Sequence, residues 1–194
     1  VNGIFSEIDR LEDSAVNKIL NDAEVVCATN STAGSEIMNG RNYELLVLDE
    51  ATQSTEPEAL IPLVKADRAV LAGDHRQLPP TILNKEAGEE GLAVSLFERL
   101  LEVHGNKIKE MLKVQYRMNS VIMNFPSREF YSGELIAHSS VREWDISDLG
   151  LNLPQQGLMK DVFDPARPVV FLDTRESGSE EERIRDSKSF YNRV

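Results

Sequence analysis

Cysteine is almost missing from this sequence. Cys27 stands alone among 194 residues, which excludes an internal disulfide and leaves too few thiols for a zinc cluster. Cys27 itself reads as a small core residue in a strand. His75, beside Arg76, has no second histidine or cysteine at ligand spacing, so a metal role is not expected of it. No apolar run approaches the roughly 20 residues of a membrane-spanning helix, and no signal-peptide pattern opens the sequence. No membrane partner is expected, and the expected location is the cytoplasm, or the nucleus in a eukaryote. There is no internal repeat or low-complexity tract. The first residue is Val1 rather than Met and the last segment stops mid-pattern, as expected of a fragment.

Positive charge is in deficit, with a net charge of −12. The imbalance is uneven: residues 1–112 carry 10 basic and 20 acidic residues, whereas residues 113–194 carry 11 and 13. Such acidity argues against long-range attraction to nucleic acid, but it does not report on a local groove. A hydrophobic content of 41% and a charged content of 28% fit a water-soluble α/β protein.

Apolar periodicity places the elements. Ile8, Leu11, Ala15 and Ile19 predict an amphipathic helix over 6–20, capped by Ser6 and ended at Asn21-Asp22. Val25–Thr29 reads as a short buried strand, and Leu45–Leu48 and Ala69–Ala72 as two more. A helix is expected at Ala59–Val64, and Gly73–Pro80 is a loop. Leu92, Leu96, Leu100 and Val103 share a helical face over 92–103. Met111–Gln115 is a fourth strand, Ser120–Phe130 a helix containing Pro126, and Val169–Asp173 a fifth strand. Residues 145–168 are irregular, 175–186 form a charged mobile loop, and a helix starts near Ser187. Strands alternating with helices imply a parallel sheet covered on both faces.

Three stretches carry chemistry. The apolar run Leu45–Leu48 ends in Asp49 and Glu50, as a buried parallel strand does when it delivers carboxylates to the sheet edge. Adjacent acids there suit Mg²⁺-dependent nucleotide hydrolysis, one holding the metal's water shell and the other activating a water. The same pair also suits an ordinary solvated strand end. Gln53 adds a neutral hydrogen-bonding group. The second stretch, Gly73-Asp74-His75-Arg76-Gln77-Leu78-Pro79-Pro80, ends another strand at the same edge. Asp74 and Gln77 offer an acceptor and an amide that can sense a γ-phosphate or its metal-bound water, and the two prolines stiffen the end of the loop. The third is Gln115-Tyr116-Arg117-Met118. Arg117 ends a strand and can reach a transferring phosphoryl group, and Tyr116 offers a flat face to a base. From spacing alone, a surface salt bridge for Arg117 and a core role for Tyr116 are the better reading of that last stretch.

Together, Asp49–Gln53, Gly73–Pro80 and Gln115–Met118 resemble motifs II, III and IV of superfamily 1 helicases of the Upf1-like branch, and within it the immunoglobulin mu-binding protein 2 type. The likeness continues through Asn124–Ser127, Phe130-Tyr131 and Ala137–Val141. The resemblance implies two RecA-like α/β domains, with ATP between them and single-stranded DNA or RNA across their top. It implies Asp49 on Mg²⁺, Glu50 on the attacking water, and Gln53 and Gln77 at the γ-phosphate, with Asp74 in support. It further implies Arg117 as a finger from the second domain and Tyr116 near the adenine. Thr29, Asn30 and Ser31 resemble motif Ic, which touches the nucleic-acid backbone through sequence-independent contacts, and Pro79 is assigned to the same side.

The family's phosphate-binding loop, G-x-x-x-x-G-K-[ST], does not occur in these 194 residues. Gly105-Asn106-Lys107 follows a helix rather than a strand and is no substitute. The expected organisation is therefore the C-terminal part of a first RecA-like domain over 1–112 and the start of a second over 113–194. The remainder of a parent helicase chain is the expected partner, and the oligomeric state is open. The parent is expected to be an ATP-dependent helicase moving 5′ to 3′, and the isolated piece to be inactive. A remodelling ATPase without unwinding and a degenerate binding module are the alternatives.

Overall fold

Leu46-Val47-Leu48 has the aliphatic, partly β-branched character that favours extended backbone. In the computed structural model, which describes residues 2–173, 181–183 and 190–192, it forms β1 (Leu46–Leu48). β2 (Ala69–Leu71) lies parallel to it, with Leu46 opposite Ala69, Val47 opposite Val70 and Leu48 opposite Leu71. A parallel bridge between Tyr43 and Ala66 continues the pairing upstream. One face of this pair is covered: Leu48, Ala51, Ala59 and Leu96 are buried together, with Leu46, Leu71, Phe97 and Leu100 packed against them. The paired Val47 and Val70 on the other face are exposed.

The crossover from β1 to β2 runs through α3 (Glu56–Leu63). Thr55 and Glu58 form a reciprocal capping box and Pro57 sits in the first turn, so the helix begins three residues before the expected Ala59. The helix expected at Leu92 begins instead as α5 (Leu96–His104), after the short α4 (Lys85–Ala87) and a turn in which Gly91 takes a φ of +110°. Ser95, fully buried, caps α5 in a second capping box with Glu98. Leu92 thus belongs to the turn, because the Ser95 cap outranks the apolar spacing. The first helix, α1 (Asn2–Asp22), starts four residues before Ser6, and its Ile8, Leu11 and Ile19 are exposed. Arg41 ties α1 to the following loop by donating to the side-chain oxygens of Asn17 and Asn21, each at 2.6 Å.

Val25–Thr29 is not a strand. It has no ladder partner among the described residues, and Val25 is exposed. Apolar character makes extension favourable, but a strand also requires a neighbour to take its N–H and C=O groups. Asn30–Ala33 then forms the single-turn helix α2. Val169–Asp173 fails as a strand for the same reason.

The chain divides into two compact units, Val1–Glu110 and Met111–Val194. In the second, the expected fourth strand contracts to β3 (Val114–Gln115). It pairs in parallel with β4 (Ile136–Ala137), which the sequence did not signal. α6 (Ser120–Phe130) lies between them as expected and accommodates Pro126. Asn119 caps it, accepting from the Val121 N–H at 2.7 Å and donating to the Trp144 carbonyl at 2.9 Å. The stretch 145–168 holds a short turn at Ile146–Leu149 and the helix α7 (Leu158–Val162). Two strands overturn the last expectations: β5 (Glu181–Arg183) pairs antiparallel with β6 (Phe190–Asn192), where a loop and a helix were expected. Phe190-Tyr191 favours a strand over a helix. The rest of the expected loop 175–186 and the helix start at Ser187 lie outside the described residues.

Candidate functional site

β1 ends at Leu48, and the chain turns at once. Ala51 and Thr52 are buried beneath that turn, and the Ala51 N–H donates to the Ala72 carbonyl at 2.8 Å, pinning the turn to the end of β2. This leaves Asp49 and Glu50 exposed on top. The Asp49 carboxylate accepts the Glu50 N–H at 2.9 Å, and Gln53 donates its side-chain amide to Glu50 Oε2 at 3.0 Å. Glu50 has a φ of +50°, in the left-handed region that residues with a β-carbon seldom occupy. Strain of that kind persists where surrounding contacts enforce it. Here the two flanking hydrogen bonds and the buried Ala51-Thr52 anchor do so.

The second stretch joins the same surface. The Asp74 N–H donates to Thr52 Oγ1 at 3.3 Å. Asp74 then organises its own loop, its carboxylate accepting from the Arg76 N–H and from the Gln77 side-chain amide, both at 2.9 Å. Asp49, Glu50, Gln53, Asp74 and Gln77 are thus brought together through Thr52. Sequence reasoning passed over Thr52, although its place between a buried alanine and a site glutamine was a signal. Pro79 is exposed and Pro80 buried.

Thr29 caps α2, its hydroxyl accepting the Thr32 N–H at 3.1 Å. Ser31 is exposed. Asn30 turns inward instead, donating its amide to Ser54 Oγ at 3.1 Å. No sequence signal pointed to Ser54.

In the second unit, Gln115 is the organiser. Its side-chain oxygen accepts the N–H groups of Arg117 and Met118 at 2.8 and 2.9 Å, and its amide donates to the Met118 carbonyl at 2.7 Å. The loop so held displays Tyr116 and Arg117 to solvent. Tyr116 lies against His138, with ring centroids 4.4 Å apart and planes at 32°. Among the described residues the Arg117 side chain has no ion-pair or hydrogen-bond partner.

Among the described residues no three His, Cys, Asp or Glu side chains cluster as a metal cage. A lone exposed carboxylate is the kind of donor that Mg²⁺ can use, since the ion keeps much of its water and takes one or two carboxylates together with substrate phosphates. Asp49, exposed on the turn, has that chemistry. A depression lined by His75, Glu98, Leu101 and Lys109 borders the Asp74–Gln77 loop at His75 and includes none of the candidate acids.

Two family models, each described as an AAA domain, match the chain, one over residues 1–85 and the other over residues 92–194, more than half of it. An uncharacterized ATP-dependent helicase of Methanocaldococcus jannaschii is 38% identical over 192 residues, covering 99% of this chain and 28% of that protein. The DNA-binding protein SMUBP-2 of Mesocricetus auratus is 38% identical over 187 residues, covering 94% of this chain and 18% of that protein. The chain belongs to the Upf1-like superfamily 1 helicases. The ATP-dependent helicase NAM7 of Saccharomyces cerevisiae is a further relative, 37% identical over 178 residues, covering 91% of this chain and 17% of that protein. The chain spans less than a third of the length of each of these three relatives. The helicase family's RecA-like α/β fold agrees with the parallel pairs β1–β2 and β3–β4. No helix among the described residues is long and apolar enough to cross a membrane.

Proposed function

We propose that this chain is the middle of an ATP-dependent nucleic-acid helicase, with residues 1–112 closing a first RecA-like domain and 113–194 opening a second. The full-length protein hydrolyses ATP and moves 5′ to 3′ along single-stranded DNA or RNA. The observation that carries this reading is the exposed Asp49-Glu50 pair on its strained turn, with the Gln53 amide bonded to Glu50 and Thr52 joining it to the Asp74-Gln77 loop.

The roles rest on what each group can do. Asp49, exposed and bearing one oxygen beyond the Glu50 N–H, would hold Mg²⁺, which would supply neutralisation of phosphate charge. Glu50 orients the attacking water and draws on its proton, and Gln53 fixes one oxygen of that carboxylate so the other faces the water. Gln77 offers its amide to the phosphate end of the nucleotide, with Asp74 holding it. Arg117 supplies the planar, permanently charged donor set that stabilises a transferring phosphoryl group. Tyr116 offers its ring to the adenine. Thr29, Ser31 and Pro79 face the nucleic-acid strand, and Asn30 belongs to the same segment with its side chain turned to Ser54. The 194-residue chain alone hydrolyses no ATP, because it lacks the loop whose lysine and backbone amides hold the phosphates.

The test is Glu50→Gln in the full-length protein. ATP turnover should fall at least about 100-fold, the usual scale of a general base, with ATP affinity nearly unchanged. Turnover at the wild-type rate overturns the reading. A strand-displacement assay on the wild type then distinguishes unwinding from movement alone.

A further inference from the structure

Asn30 and Ser54 are far apart in sequence, yet they meet in a half-buried hydrogen bond of 3.1 Å. Their surroundings give the bond a direction. Asn30 opens α2, the short turn that Thr29 caps. Ser54 stands between Gln53, whose amide holds the Glu50 carboxylate, and Thr55, which caps α3. At the other end of α2 its C-cap Gly34 meets α3, where an added β-carbon would lie 3.0 Å from Ile61 Cγ2. The segment 29–34 is therefore held to α3 at one end and to the residue just after the acid turn at the other.

These two attachments differ in consequence. The capping box between Thr55 and Glu58 holds the start of α3, directly after Ser54. A shift of the 29–34 segment is resisted at Ile61 and at Thr55, and is passed from Ser54 to its other neighbour, Gln53. We infer that Ser54 is a positioning residue that transmits occupancy of the 29–34 segment by a nucleic-acid strand to the Gln53–Glu50 pair. This rests on the function proposed above, and it adds the route by which nucleic acid stimulates hydrolysis. Ser54 reaches neither nucleotide nor strand in this role; it acts through Gln53.

Ser54→Ala removes the acceptor while leaving the backbone turn and the Thr55 cap in place. Turnover of ATP by the full-length protein is measured without nucleic acid and with saturating oligo(dT) or poly(U). In Ser54→Ala the stimulated rate should fall about fivefold, the size of one hydrogen bond's net contribution. The unstimulated rate and the affinity for the oligonucleotide should stay within about twofold. Ser54→Thr, which keeps the hydroxyl, should restore most of the stimulation. Unchanged stimulation in Ser54→Ala overturns the link alone, and so does an equal drop in both rates, which marks a merely structural bond. A wild type that neither polymer stimulates overturns the link together with the function it rests on.

Discussion

Thr52 and Gly73 are in contact at the point where two turns meet. A β-carbon on Gly73 would stand 3.0 Å from both Thr52 N and Thr52 Cγ2, and 3.2 Å from Thr52 Oγ1. The same hydroxyl accepts the Asp74 N–H. The ends of β1 and β2 are therefore joined by a contact too tight to take a side chain without a shift of a few tenths of an ångström. This closeness makes Asp49–Gln53 and Asp74–Gln77 one surface rather than two.

Gly73→Ala should consequently destabilise the protein. The obstructing atoms include a backbone nitrogen, which cannot rotate away, so the two turns must give by a few tenths of an ångström. The expected loss is about 1–3 kcal/mol, as for other overpacked sites, read from urea denaturation midpoints. A variant as stable as the wild type shows that the two turns can part freely.

Glu50 tests whether the site holds strain. At a φ of +50° glycine fits at no steric cost and a β-branched residue fits badly. Glu50→Gly and Glu50→Val both lose the hydrogen bond to Gln53, so their difference isolates the backbone. Glu50→Val should be less stable than Glu50→Gly by at least about 1 kcal/mol, measured by denaturation. Equal stabilities exclude a left-handed residue at this position.

Asn119 is 7% exposed and serves two partners at once. Asn119→Ala strands the Trp144 carbonyl and uncaps α6. The combined cost should be about 2 kcal/mol. Asn119→Asp keeps the acceptor for Val121 and loses the donor to Trp144, so its stability should fall between the two. Equal melting temperatures for all three proteins contradict the double role.

Asp145 has a displaced titration with a visible cause. The Ser147 hydroxyl, and after it the Ser147 N–H, holds its carboxyl below the ordinary value of 3.8. A depressed folded-state value means that the charged form favours the folded state. Its contribution is complete above about 3.8 and disappears as the pH falls through the lower folded value. Ser147→Ala should raise the Asp145 midpoint toward 3.8, as followed by carboxyl carbon NMR. A midpoint that stays put assigns the shift to something other than Ser147.

Much of the scaffold was legible because it is written in local chemistry. The aliphatic runs at 46–48 and 69–71 became strands, and α6 spans the residues that its spacing predicted. Helix starts were misread where a cap overruled periodicity: Thr55 with Glu58, and Ser95 with Glu98, advance or delay the helix by several residues. The misread strands share a different cause. Val25–Thr29 and Val169–Asp173 have apolar character but no described neighbour, while Ile136–Ala137 has little character of its own and becomes a strand because Val114–Gln115 lies beside it.

The residue order at 49–53, 73–80 and 115–118 was enough to point to the family by resemblance, and the matching family models and relatives bear that out. Tertiary structure decided the rest. It set Glu50 in a left-handed turn, made Thr52 the joint between two loops, turned Asn30 toward Ser54, and gave the Gln115 amide the task of shaping the Tyr116-Arg117 loop. Each of these depends on a hydrogen bond or close approach whose geometry the packed backbone sets, and a linear pattern of residue types carries no record of that geometry.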